Sequence, residues 1–164
     1  MVELRVFGLA LDEKNQSPVL ILKDLTDEKV LPIWIGAMEA MAISMALNKV
    51  EFPRPMTHDL LLAVISGLGA AVFAVEITRV QEGTYYAELV LRLGDQEKRI
   101  DSRPSDAIAL AVRAEAPVFA AEAVLAEAGI SAGERRYAVL KTEGTDQWTE
   151  ELEKISADDF KYKM

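Results

Sequence analysis

The chain has 164 residues, enough for one domain with a real core. Apolar residues make up 51% and charged residues 27%, which excludes a disordered chain. It has no cysteine, which excludes disulfides, thiolate metal sites and a Cys nucleophile, and its net charge of −9 argues against a surface built for phosphate backbones.

No basic, apolar leader opens the chain. Val2, Leu4 and Val6 instead alternate with Glu3 and Arg5, the period of a half-buried strand. A turn is expected at residues 15–18. "PVLILK" (18–23) and "VLPIWI" (30–35) read as strands, with Pro32 suited to an edge or a bulge. Gly36 opens a helix, "AMEAMAISMALNKV". A second helix runs over 57–67 and stops at Gly67 or Gly69. "AVFAVEITRV" and "TYYAELVLRL" form a hairpin around Glu82-Gly83, and "EKRID" is a short strand that delivers Asp101. A third helix spans about 103–114. "VFA" makes one more short strand, and "AEAVLAEAG" a short helix stopped by Gly129. Trp148, Leu152 and Ile155 lie at helical spacing among acids, which predicts an amphipathic terminal helix.

The longest uncharged run, residues 60–75, is shorter than the ~18 residues a membrane span needs, so no membrane segment is expected. The cysteine-free composition fits a cytoplasmic protein. Strands outnumber helices and several follow one another as hairpins. This predicts a single α+β domain, a mixed and largely antiparallel sheet with helices packed on it. The domain is placed at residues 1–130, followed by an acidic, partly helical C-terminal extension at 131–164.

Charge gathers at the helix starts. In "IDSRPSDAIALAVR" (100–113) Arg103 falls at the N-cap, Pro104 at N1 and Asp106 near N3. Asp106 then complements the helix dipole, and Ser105 can bond a free N–H. Capping leaves Asp101 and Arg103 unexplained. A helix start with an arginine can dock a phosphate, and Asp101 beside it can add a metal site. "RPMTHDLL" (54–61) repeats the grammar, with Thr57 as N-cap and the chain's only histidine, His58, beside Asp59. Adjacent helical residues point about 100° apart, so His58 and Asp59 are not expected to pair. Glu39 stands in an otherwise apolar helix. It either favours the dipole of its own helix or faces Arg54 or Arg103. Met38, Met41 and Met45 read as core filler, and Trp34 as core or interface.

"LPIWIGAMEAMAISMAL", "RPMTHDLL", "LGAAVFAVEI" and "IDSRPSDAIALAVR" follow in this order and spacing, and they resemble the bifunctional nuclease domain family over residues 2–128. The resemblance implies an α+β fold, oligomeric assembly and, from plant members, nuclease activity on RNA and DNA. Its polar signature falls on Glu39, Arg54, Thr57, His58, Asp59, Asp101, Arg103, Ser105 and Asp106. The function expected is therefore a metal-dependent nuclease of low sequence specificity. Carboxylates, Asp101 and Asp106 foremost, would bind Mg²⁺ or Mn²⁺; Arg54 and Arg103, with Thr57 and Ser105, would hold the phosphate; His58 would act as acid or base, with Asp59 and Glu39 in the catalytic set. The alternative is a non-enzymatic regulatory or scaffold domain whose Arg–carboxylate network ties helix starts to the sheet. The partners expected are nucleic acid, bound weakly, and a second copy of the chain. The basis for the second is the nearly all-apolar helix at 37–48 together with Trp34, Phe52 and Tyr85.

Overall fold

The computed structural model describes residues 1–12 and 16–132. The expected terminal helix and the Arg135-Arg136 pair lie outside them. The described chain runs β1 (Val2–Leu11), β2 (Pro18–Asp24), β3 (Lys29–Trp34), α1 (Ala37–Leu47), α2 (Thr57–Gly67), β4 (Ala71–Gln81), β5 (Thr84–Leu93), β6 (Gln96–Ser102), α3 (Pro104–Ala114), β7 (Val118–Ala120), α4 (Glu122–Ala128) and β8 (Ile130–Ser131). The fold is α+β, as the order of patterns predicts. No helix among the described residues is long and apolar enough to cross a membrane.

The eight strands form one sheet in the order β6-β5-β4-β7-β1-β2-β3-β8. Two antiparallel meanders, β4-β5-β6 and β1-β2-β3, are joined by the three-residue β7, which pairs antiparallel with β1 and parallel with β4. A parallel neighbour needs a long crossover, and here β5, β6 and α3 supply it. The β4–β5 turn puts Glu82 at φ 51° and Gly83 at φ 75°. Two positive φ values match the right-handed twist of a two-residue hairpin, and glycine adopts one of them without strain. Pro32 pairs in register with Ile21 of β2. On its other side β8 reaches only Lys29 and Val30, so the missing N–H of Pro32 faces what is in effect a sheet edge.

Leu20 and Leu22 of β2 point into the main core with Leu4, Val75, Ile77, Ala87 and Leu89, while Val19 and Ile21 join a smaller cluster with Ala10 and Val30. Strand alternation thus gives β2 two apolar faces, and all seven of its residues are buried. α3 is the central helix. It buries Ala107, Ile108, Leu110 and Ala111 and meets α1, α2, β4 and β5. Its small alanines let the neighbouring helices approach closely.

Two helix boundaries differ from the pattern-based expectation. α1 stops at Leu47 because Asn48 turns back, its side-chain N–H donating to the Ser44 carbonyl, and Lys49 adopts φ 52°. α2 is capped by Met56, one residue before Thr57. The Asp59 carboxylate at N3 accepts the Met56 N–H at 2.9 Å, and that bond fixes the start.

Exposed apolar side chains occur where the sequence suggested, at Trp34, Met38 and Leu47, but α2 adds more of them. α1 buries Ala40, Ile43 and Met45, whereas α2 buries only Ile65 fully and leaves Leu60, Leu61 and Val64 exposed. Leu68, just past its end, is 74% exposed. Trp34 is exposed, its indole N–H donating to Asp12 at 3.0 Å.

Candidate functional site at the helix starts

Each of the three long helices carries a carboxylate at its third position: Glu39 in α1, Asp59 in α2 and Asp106 in α3. An acid there is locally favourable because the first-turn N–H groups are unpaired and positive. Packing of α1 and α2 against α3 converts this local habit into a shared polar cluster.

Arg103 is its centre. It is the N-cap of α3, with extended backbone (φ −67°, ψ 141°) imposed by Pro104 at N1. Its Nε donates to Asp106 Oδ2 at 2.6 Å and its Nη1 to Glu39 Oε1 at 2.9 Å. One guanidinium therefore bridges α1 and α3. These two bonds use two faces of the fork; the Arg103 side chain stays 64% exposed, with Nη2 turned to neither carboxylate. A Cβ on Gly36 would run into the Glu39 carboxylate, so glycine leaves the room that carboxylate takes.

His58, at the second position of α2, places Nε2 3.2 Å from Asp106 Oδ1. Burial pushes the Asp106 carboxyl up, but the hydrogen bonds from Arg103 and His58 outweigh it and hold it below the usual carboxylate range. Asp106 is thus ionised at neutral pH and only accepts, so the proton shared by the pair sits on His58 Nε2.

Asp59 faces away from His58, as helical geometry requires. Its Oδ1 accepts from Arg113 Nε at 2.6 Å. Burial again raises the Asp59 carboxyl, and the bonds from Arg113 and the Met56 N–H bring it below its ordinary value. Arg113 Nη1 also donates to the carbonyls of Ala42 and Ala109, at 3.1 and 2.9 Å. This nearly buried arginine links all three helices. The signal for it in the sequence is spacing: Arg113 lies seven residues after Asp106 and hence on the same helix face.

The cluster rims an open cleft of about 280 Å³. Glu39, Thr57, His58, Arg103 and Asp106 supply its polar side, together with Arg113. Its apolar lining is mostly methionine: Met38, Met41, Met45 and Met56. Met38 is 73% exposed, so it is surface and not core filler.

Four expected site residues stand apart from this cleft; the first, Asp59, is turned to Arg113 instead of lining it. Arg54 is exposed in the turn before α2, and Ser105 is buried inside α3. Asp101 pairs in register with Glu88 on β5, which in turn pairs with Glu76 on β4. Cross-strand partners share a sheet face, and on that face Arg99 binds Glu76 and Glu88 at 2.6 and 3.0 Å. The core side of the same strands is marked by Ala87 and Leu89. Asp101 therefore stands with an acidic surface row while Asp106 turns into the cleft.

The donor set does not fit an ion held by Asp101 and Asp106. Both oxygens of Asp106 are engaged by cationic or N–H groups, and Arg103 stands between Asp106 and the carboxylate of Glu39, bonding both. Among the described residues no three His, Asp or Glu side chains converge as metal ligands.

Fold and cleft together define an α+β domain with a polar-rimmed site at its helix starts. Residues 20–133 match the family model of the bifunctional nuclease domain, and the chain belongs to that family. It is 39% identical over 165 residues to the uncharacterized protein Rv1829 of Mycobacterium tuberculosis, covering 98% of this chain and 99% of that protein. Bifunctional nuclease 1 of Oryza sativa subsp. japonica is 32% identical over 117 residues, 70% of this chain and 35% of the plant protein. Bifunctional nuclease 2 of Arabidopsis thaliana is 33% identical over 92 residues, 54% of this chain and 28% of the plant protein. The chain thus spans about a third of the plant relatives it matches.

Proposed function

We propose that this chain is a nuclease that hydrolyses phosphodiester bonds in RNA and DNA with little sequence preference. The observation that carries the reading is the meeting of His58, Asp106, Arg103 and Glu39 at the mouth of an open cleft. A buried, closed network would instead have suited a scaffold. Family membership and the names of the plant relatives support the same reading.

In the proposed mechanism Asp106 holds the His58 ring through Nε2–H, so that Nδ1 takes the proton of the attacking water or hydroxyl. Arg103, anchored by Asp106 and Glu39, offers its remaining N–H groups to the phosphate oxygens and offsets charge that builds in the transition state. Asp59 and Arg113 act through His58 by fixing the first turn of α2. They are positioning residues. No step is assigned to a metal, because Asp101 and Asp106 do not meet. The Mg²⁺ or Mn²⁺ requirement expected from the sequence is tested by cleavage with and without excess EDTA.

The decisive experiment is cleavage of single-stranded DNA and RNA by the wild type, His58→Gln and Asp106→Asn. General-base catalysis contributes about 10²–10⁴-fold, so each substitution should cost at least on the order of 10² in rate. Undiminished cleavage by His58→Gln would remove the dyad from the mechanism. The alternative, a non-enzymatic scaffold, draws on one observation: Arg103 is already paired with two carboxylates. It requires that no variant differ from wild type in any cleavage assay. We further propose that the protein acts in the cytoplasm, on its cysteine-free sequence, and as a homodimer through the exposed face of α2.

A further inference from the structure

Four of the six methionines in the chain line one cleft of about 280 Å³. Met38 and Met41 come from α1, as does Met45, and Met56 stands at the N-cap of α2, so two helices supply these side chains. A core would not need Met38 at 73% exposure. Thioether side chains are unbranched and polarisable, adapt to differently shaped ligands and make favourable contacts with aromatic rings. The same cleft is lined by His58 and Arg103, the groups that face a phosphate in the mechanism above.

We propose that the methionine lining is a base-binding subsite that takes one unpaired nucleobase, while its phosphate lies against Arg103 and His58. The inference rests on the nuclease reading and specifies its substrate as single-stranded nucleic acid. A cleft of this volume admits a single nucleotide but not a stacked base pair, whose two bases and four flanking sugar–phosphate links are several times larger. Aromatic faces are common to all bases, whereas hydrogen-bonding edges differ. An apolar thioether lining therefore holds any base and distinguishes none, which gives low sequence specificity a structural cause. Base contact also supplies affinity that the acidic surface cannot, since the chain carries a net charge of −9.

The test is a titration of the full chain, labelled with ¹³C at the methionine methyls, with adenosine 5′-monophosphate and separately with ribose 5-phosphate. The two probes share sugar and phosphate and differ by the base. Ring-current shifts are expected at Met38, Met41 and Met56 with the nucleotide alone, with the exposed Met1, which precedes β1, serving as reference. Met38→Ala, a change at an exposed position that leaves folding intact, should weaken nucleotide binding on the order of 2- to 10-fold and leave ribose 5-phosphate binding unchanged. Cleavage of a single strand should exceed that of the same sequence in a duplex. Equal methyl shifts with both probes, no shifts with either, or equal cleavage of strand and duplex would overturn the proposal. Cleavage without methyl shifts defeats the base subsite and spares the nuclease reading. Nucleotide-specific shifts in a chain that cleaves nothing defeat the nuclease reading and leave a nucleotide site.

Discussion

Arg103 shows how one side chain can be more than a cap. Loss of a cap costs about 0.5–2 kcal/mol, but here the capping position also supplies the guanidinium that joins Asp106 to Glu39. Lysine keeps the charge and loses the planar fork, so it cannot hold both carboxylates and still face a phosphate. Exposed ion pairs contribute about 0–1 kcal/mol, and this one is mostly exposed. Arg103→Lys should therefore melt within a few degrees of wild type and lose activity by on the order of 10²-fold, measured by one thermal melt and one cleavage assay. A fully active Arg103→Lys protein would take Arg103 out of the site. Asp106 and Asp59 carry a pH signature. Both titrate below the ordinary carboxylate value in the folded chain, so the unfolded chain takes up their protons first as acid is added. Their stabilisation is present above about pH 4, the unfolded carboxylate value, and is lost as pH falls from there through the folded values. Denaturant melts between pH 6 and pH 3 should show a steep acid loss that is smaller in Asp106→Asn. An equal slope in both proteins would count against the network.

At the scale of elements, the site is a meeting of helix starts held in place by a nearly buried arginine. Arg113 binds Asp59 of α2 and carbonyls of Ala42 in α1 and Ala109 in α3. Arg113→Met would leave Asp59 without its partner and two carbonyls without a donor. That should cost about 1–3 kcal/mol, visible as a lower denaturant midpoint. In Asp59→Asn/Arg113→Met the stranded charge is gone, so the loss should be smaller than in Arg113→Met. A double variant as unstable as the single one would show that the pair itself contributes little. Because the pair fixes the turn that bears His58, the single change should also shift the pH profile of cleavage, which a distant destabilisation would leave alone.

The molecule as a whole is acidic, and among the described residues α2 presents an exposed apolar face. α2 exposes Leu60, Leu61 and Val64, followed by Leu68 beyond its end. Two copies carrying −9 each repel one another except where charge is absent. A two-fold contact between α2 helices is the arrangement that buries this apolar face, and self-association is the expected result. Sedimentation should give twice the chain mass for wild type and a monomer for Leu61→Glu/Val64→Glu, both exposed positions. A wild-type monomer at micromolar concentration would reject the dimer. If the proposed function holds, the same acidity should make nucleic-acid binding weak and steeply salt-dependent, steered by the cations at the cleft.

The sequence by itself determined what short-range rules govern. Alternation placed the β1 strand, Glu82-Gly83 closed the hairpin, and Pro104 with Asp106 marked the start of α3 to the residue. Those signals act within a turn or a pleat, where backbone sterics and first-turn N–H groups leave few options. The family resemblance was legible for the same reason, since its motifs are contiguous. The tertiary structure alone decided the partners. Glu39 had two candidate arginines, and Arg103, 64 positions away, proved to be its mate because α1 packs against α3. His58 reached Asp106 across 48 positions while its neighbour Asp59 went to Arg113. Asp101 and Asp106, five residues apart, were parted because one ends on a strand in register with Glu88 and the other sits a turn into a helix. Met45 is core, as its apolar pattern suggests, but only the packing of the helices left Met38 exposed at the cleft. Composition and period set which side of an element is apolar; what that side meets depends on how the elements pack, a long-range property that no local pattern encodes.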